Sequence, residues 1–181
     1  MSNYIAVLRG INVGGHRKIP MDSLRKEVDN LGYKNVKTYI QSGNIIFTAA
    51  DHCSDLEIAE RIENTILTTF GFEVPVIVRS SDELQQAATE NPFLSIENIA
   101  IESLYLIFLK QTPTAEALKT IKTYAYTPDQ FQIIKKNIYL YIPGPYHKTK
   151  LSNIFFEKKL GISTTTRNWK TVLKLAEMSQ F

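Results

Sequence analysis

The chain has 181 residues, 44% of them hydrophobic and 22% charged, with a net charge of +3 and a single cysteine, Cys53. Such a composition is that of a globular protein rather than a disordered one, and a chain of this length can hide roughly 70% of its unfolded surface without covalent staples. One cysteine excludes an intramolecular disulfide and argues against a cysteine-based metal site.

The first segment, MSNYIAVLRG, lacks a basic region followed by an apolar core, so it does not read as a signal peptide. Apolar runs such as LYLIFL fall far short of the roughly 20 residues that a membrane helix requires. The expectation is a cytoplasmic protein with no membrane partner.

In chain order, Tyr4–Arg9 reads as a strand that runs into a glycine loop. Met21, Leu24, Val28 and Leu31 then mark the apolar stripe of a helix ended by LGY. Val36–Gln41 alternates as a strand, SGN turns, and Asn44–Thr48 returns as its hairpin partner. Ser54 and Glu57 have the spacing of a capping box, opening a helix with Ile58, Ile62, Ile66 and Phe70 on one face. Val74–Arg79 is the next strand. The order over Tyr4–Arg79 is therefore βαββαβ, a ferredoxin-like unit.

Ser80 and Glu83 repeat the capping pattern before a short helix that stops at Asn91–Pro92. Beyond a less patterned junction, Leu104–Lys110 reads as a strand and Pro113 as a helix start. Phe131–Lys135 and Ile138–Ile142 flank KN as a second hairpin, and a helix covers about Ser152–Leu160. A last helix from about Arg167 to Ser179 lines Trp169, Val172, Leu173 and Ala176 on one face, which marks Trp169 as core. The second half thus reads βαββαα. The fold class expected is α+β with two related subdomains, 1–93 and 94–181, packed as one rigid unit.

Charge is unevenly spread. Residues 1–50 hold seven Lys/Arg and three Asp/Glu, 51–102 hold two and eleven, and 103–181 hold twelve and four. The blocks are either solvated helix faces or two basic ends that share a surface.

The feature that stands out is LRGINVGGHRKIP, residues 8–20. It is neither a P-loop nor a Rossmann fingerprint. Its place between strand and helix is where backbone N–H groups converge on anions, and Arg9, His16, Arg17 and Lys18 would complete a phosphate or carboxylate pocket. The bland alternative is a flexible loop whose glycines supply positive φ. Gln41, Ser42, Gly43 and Asn44 suit a hairpin tip on backbone grounds, and Gln41 and Ser42 can also face a ligand. In STTTRNWK, a threonine can cap the last helix, but Arg167 in its first turn opposes the macrodipole. Either a carboxylate offsets Arg167, which is structure, or it meets the opening loop and builds an anion site with it.

The loop GPYHKTKLS carries His147, Lys148 and Lys150 near Tyr139, Tyr141 and Tyr146, a mixture that can bind nucleic acid or simply pack a sheet. Patterns for zinc peptidases and serine hydrolases are absent, and His16, His52 and His147 lack metal-ligand spacing. QSGNIIF lacks the aromatic pair of an RNA-recognition strand. No motif calls for a cofactor.

LRGINVGGHRKIPM, TYIQSGNIIF and TTTRNWKTVLKL, in this order and spacing, resemble a bacterial family catalogued as domain of unknown function sixteen-ninety-seven. The resemblance covers nearly the whole chain. It implies a compact α+β fold of two related subdomains and brings no activity with it. Lys170 departs from the family's usual TTRNWNTV, which has asparagine there.

The favoured functional expectation is a small-molecule site, enzyme or sensor, for a phosphate- or carboxylate-bearing ligand. Its residues are Arg9, Asn12, Gly14, Gly15, His16, Arg17 and Lys18, faced by Ser42, Asn44, Arg167 and Asn168. Glycine N–H groups and arginines would bind charge, and Asn12 and Asn44 would orient the ligand. His16 is the loop's acid–base candidate, since an imidazole ordinarily titrates near neutrality. No nucleophile stands out, so no reaction is named. The alternatives are a nucleic-acid or protein-binding module using the basic C-terminal half, and a purely structural interaction protein.

Overall fold

The computed structural model describes residues 1–50 and 53–181; His52, one of the three histidines, lies outside them. The fold class is α+β, as expected. It comprises two compact units, one formed by Met1–Gln86 with Lys174–Phe181 and the other by Ala87–Leu173.

The first unit contains β1 (Ser2–Leu8), α1 (Met21–Asn30), β2 (Lys34–Tyr39), β3 (Asn44–Ala49), α2 (Asp55–Phe70), β4 (Val76–Ser80) and the first six residues of α3 (Ser81–Thr89). Its antiparallel sheet has the order β2-β3-β1-β4, with Ile5 opposite Ile46 on one side and Arg79 on the other. The runs YIAVL, IIF and VIV are apolar throughout because both faces of these strands are buried. Tyr4, Ala6, Leu8, Ile45, Phe47, Val76 and Val78 form one core with Leu24 and Val28 of α1 and Ile58, Ile62 and Ile66 of α2. Tyr33 stacks on Phe47 at 4.8 Å between ring centroids.

Local chemistry sets the helix ends. Ser54 accepts from Glu57 N–H while the Glu57 carboxylate accepts from Ser54 N–H, the expected capping box, worth about 1 kcal/mol. Ser80 and Glu83 make the same reciprocal pair ahead of α3. The last residues of the chain strap across this unit. Asn3 Nδ2 donates to the carbonyls of Ser179 and Phe181, and Gln85 Nε2 donates to Ala176 O.

The second unit contains β5 (Leu104–Leu109), α4 (Ala115–Ile121), β6 (Gln130–Ile134), β7 (Asn137–Tyr141), α5 (Asn153–Leu160) and β8 (Thr164–Asn168). The final helix, α6 (Trp169–Met178), begins in this unit. The sheet order β6-β7-β5-β8 reproduces that of the first unit strand for strand. Ile107, Leu109, Ile138, Leu140 and Ile142 form its core with Ile121, Phe156 and Leu160.

Three local expectations are corrected. The last helix does not begin at Arg167: the three β-branched threonines belong to a strand paired with β5, Thr165 opposite Phe108 and Thr166 opposite Ile107, at an edge where the sequence pattern predicts none. The second half is accordingly βαββαβα rather than βαββαα. The second hairpin turns at Lys135–Lys136 instead of KN, because Asn137 already pairs with Ile134 and Phe108. Finally, α4 is capped by Thr114, whose hydroxyl accepts from Ala117 N–H, which leaves Pro113 outside the helix.

Gly43 closes the first hairpin at φ 85°, where a Cβ would lie 2.7 Å from Ile11 Cδ1 and 2.8 Å from Leu8 Cβ. Gly71, at φ 81°, has nothing within 4 Å of the same position. Gly43→Ala should therefore cost about 2–4 kcal/mol, left-handed backbone plus overpacking, and Gly71→Ala only about 1–2 kcal/mol. Urea midpoints of the two variants would check this; equal losses would show that the close approach at Gly43 carries no energy.

Candidate functional site

The opening loop is an ordered hairpin. Asn12 N–H donates to Arg17 O and His16 N–H donates to Val13 O, both at 3.1 Å, with Gly14 and Gly15 as the two turn residues. Their φ values of 58° and 79° are the left-handed pair that a type I′ turn demands, which accounts for the double glycine. Gly10, Asn12 and Arg17 also have positive φ, at 65°, 55° and 48°. For an arginine that is a strained position, kept only where its surroundings impose it.

Two anchors hold the hairpin to the fold. Ile11 and Ile19, at its two ends, are wholly buried in the first unit's core. Between them the Asn12 carboxamide acts as a brace: Oδ1 accepts from Ile19 N–H at 2.8 Å, and Nδ2 donates to Ile19 O at 3.0 Å and Gln41 O at 2.9 Å. Backbone bonds from Leu8 N–H to Gly43 O and from Arg9 N–H to Pro75 O fix the base. The glycine loop and the Gln41–Asn44 tip therefore meet, as neighbours within one unit.

Gly14, Gly15, His16, Arg17 and Lys18 are exposed, and Arg9 is half-buried. A Cβ placed on Gly10 would stand 3.8 Å from Arg17 Nη1, so the guanidinium lies along the loop's own backbone. Among the described residues, no ion pair involves His16, Arg17 or Lys18. The helix α1 begins three residues after Lys18, and its N-cap, Pro20, makes no side-chain cap bond. Asn44 is fully buried, with Nδ2 donating to Tyr39 O at 2.9 Å and to Ser42 Oγ at 3.3 Å, so its amide shapes the tip.

Arg167 and Asn168 belong to the second unit. Arg167 is buried in mid-strand, its Nη1 donating to Thr165 Oγ1 at 3.0 Å and Thr166 O at 2.9 Å, and burial pulls the guanidinium down to about 10. The conflict expected between Arg167 and a helix dipole does not arise, because Arg167 is not helical. Asn168 caps α6, accepting from Thr171 N–H at 2.8 Å. Lys170 pairs at 2.9 Å with Glu102, both side chains largely exposed, and the hydrogen bond from Lys170 holds that carboxyl below its usual range.

The residues that sequence reasoning missed are the anchors. Ile11 and Ile19 are large apolar side chains bracketing a polar stretch, and that bracketing is itself a local signal of a loop pinned at both ends. That Asn12 would bond to Gln41 was not legible, since it depends on the register of another hairpin. Among the described residues no helix is long and apolar enough to cross a membrane, and no three His, Cys, Asp or Glu side chains group as metal ligands.

No curated protein matches the chain. Among solved structures it is similar to the conserved bacterial protein SP0830 from Streptococcus pneumoniae, at 26% identity and a TM-score of 0.78, covering 100% of this chain and 99% of that one. The motifs, the two sheets and this likeness agree with a family model that matches residues 1–139: the chain belongs to the family described as Protein of unknown function (DUF1697).

Proposed function

We propose that the protein binds a small phosphate- or carboxylate-bearing ligand at the opening hairpin. The observation that carries this reading is Arg17, an arginine kept at φ 48° on a hairpin braced by Asn12, with Lys18 and His16 beside it and no carboxylate paired to any of them among the described residues. Positive φ alone marks no site, since Ile40 and Lys135 share it in the other hairpin turns; at Arg17 it is combined with the brace and with adjacent basic side chains. The brace orders the backbone that carries the cations, so an arriving anion has only their side chains to order, which lowers the cost of binding.

Backbone donors add to the charge. No hydrogen bond of the described residues uses Gly14 or Gly15 N–H, and neither residue has a side chain to obstruct an oxygen. The first turn of α1 has no side-chain cap but carries its own carboxylate, Asp22, so the hairpin and not the helix end supplies the positive charge. Asn12 and Asn44, expected to orient a ligand, serve it indirectly by holding the hairpin and the tip. Ser42, half-buried at that tip, uses its hydroxyl to accept from Asn44 Nδ2 and so shapes the tip with it. Arg167 and Asn168 have no part in this reading. It names no reaction.

A thermal-shift panel of inorganic phosphate, sulfate, sugar phosphates, nucleotides and carboxylic acids tests the proposal. At 100 times its dissociation constant a ligand should stabilise by about 2.7 kcal/mol. Arg17→Ala and Lys18→Ala should each abolish the shift, while the unliganded melting temperature moves little. A panel with no shift, or one that both variants retain, ends this reading. Asn12→Ala should act differently. Loss of the brace leaves Ile19 N–H without its acceptor, so stability should fall by about 1–3 kcal/mol, with anion affinity falling too although no cation has been removed. Urea titration beside the thermal-shift panel would separate these effects.

A further inference from the structure

A second surface, independent of the hairpin, lies in the other unit. The end of α4 and the start of α5 bring together Tyr124, Tyr126 and Phe155, three rings in mutual contact. The two tyrosines are close to parallel, with centroids 6.5 Å apart at 23°. Phe155 meets both edge-on at 5.5 Å. An ammonium stands beside each tyrosine: Lys159 Nζ donates to the Tyr124 hydroxyl and is 4.4 Å from that ring's centroid, and Lys150 Nζ is 5.5 Å from that of Tyr126. Each tyrosine is half-buried, with a cationic side chain at its solvent side, Lys159 at the Tyr124 hydroxyl and Lys150 beside the Tyr126 ring.

The surrounding sequence is one-sided in charge. From Lys119 to Lys159 there are eight lysines and two carboxylates. Both carboxylates are engaged within the unit. Asp129 accepts from the Thr149 hydroxyl, and Glu157 Oε1 accepts from Thr164 N–H at 2.9 Å. Among the described residues neither acid forms an ion pair with Lys150 or Lys159.

We propose that this surface binds single-stranded nucleic acid, with bases stacking on Tyr124 and Tyr126 and with Lys150 and Lys159 moving from the rings onto the phosphates. Planar rings spaced among cations match a strand that offers a π-face and a negative charge at every step. A cation over an aromatic face holds it only weakly where water reaches, so a base can take its place. An acidic peptide would use the lysines but not the rings. A membrane would need more projecting apolar bulk than Ile154, 72% exposed, supplies. A duplex would keep its bases from the tyrosines.

Fluorescence anisotropy with a short labelled oligouridylate, read at about 50 and about 200 mM salt, tests the proposal. Binding should weaken steeply with salt, and Lys150→Gln combined with Lys159→Gln should flatten the log–log slope by about 1.4, about 0.7 for each phosphate no longer neutralised. Tyr126→Leu, which keeps apolar bulk, should weaken binding about tenfold with unchanged circular dichroism. A matched duplex should bind more weakly, and Lys26→Gln, at an exposed position of α1, should bind like the unaltered protein. Four outcomes overturn the proposal: no binding at the lower salt, undiminished binding by Tyr126→Leu, equal binding of duplex, or preference for anionic phosphatidylserine vesicles. Loss of binding in Arg17→Ala does so too, by moving the strand to the hairpin.

Discussion

What the opening hairpin presents to solvent depends on the Asn12 carboxamide. It bonds Ile19 through both N–H and C=O, as a neighbouring strand would, and its amide nitrogen also reaches Gln41 O. One side chain thus supplies the ladder that the loop's short length cannot. With Ile11 and Ile19 buried on either side, the residues between them can be polar, glycine-rich and cationic without coming loose. Gly43 is the complement. It has no Cβ, so Ile11 and Leu8 pack directly against its backbone, and any other residue there would push the hairpin from its seat.

The two sheets share a strand order, and the likeness reaches side chains. Arg79 on β4 stands opposite Ile5, and Arg167 on β8 stands opposite Leu106, so each occupies the edge strand paired to its unit's first strand. Each guanidinium donates to the carbonyl of the residue before it, at 2.8 Å to Val78 and 2.9 Å to Thr166. Burial is the first cause pulling both down to about 10, opposed for Arg79 by Glu83 and Asp55. An arginine at that value is still a cation at neutral pH. The equivalence reinterprets TTTRNW: its arginine repeats a structural position of the first unit and is not an extra cation added to a helix end.

This equivalence also shows where sequence reading reached its limit. Periodicity placed α1, α2 and the first hairpin within a residue or two, because their apolar stripes and capping pairs are local. It failed at β8, where STTTRN carries no apolar alternation. Threonine suits both a helix cap and a strand, and the choice is made by β5, more than fifty residues earlier, whose open edge takes the segment up. The opening loop divides along the same line. The double glycine and the cations were legible as a candidate site, since a type I′ turn and positive charge are properties of the segment itself. The role of Asn12 was not, because its partner Gln41 is remote in sequence and comes near only once β2 and β3 pair.

The two proposed surfaces differ in what holds their cations, and that difference decides what each can bind. On the hairpin the backbone beneath the charge is fixed: a left-handed arginine on a braced turn projects from one set position, so it suits a compact anion. On the second unit the lysines reach the tyrosines on long, flexible stems, Lys159 at the Tyr124 hydroxyl and Lys150 beside the Tyr126 ring, and the rings themselves are packed in place. Such a surface tolerates variation in the position of each phosphate while keeping a constant stacking platform, which is what a polymer of changing sequence demands. A fixed cation selects among small ligands by shape; a mobile one over a fixed ring accepts any strand that can unstack. The same number of positive charges, distributed the other way, would serve neither purpose.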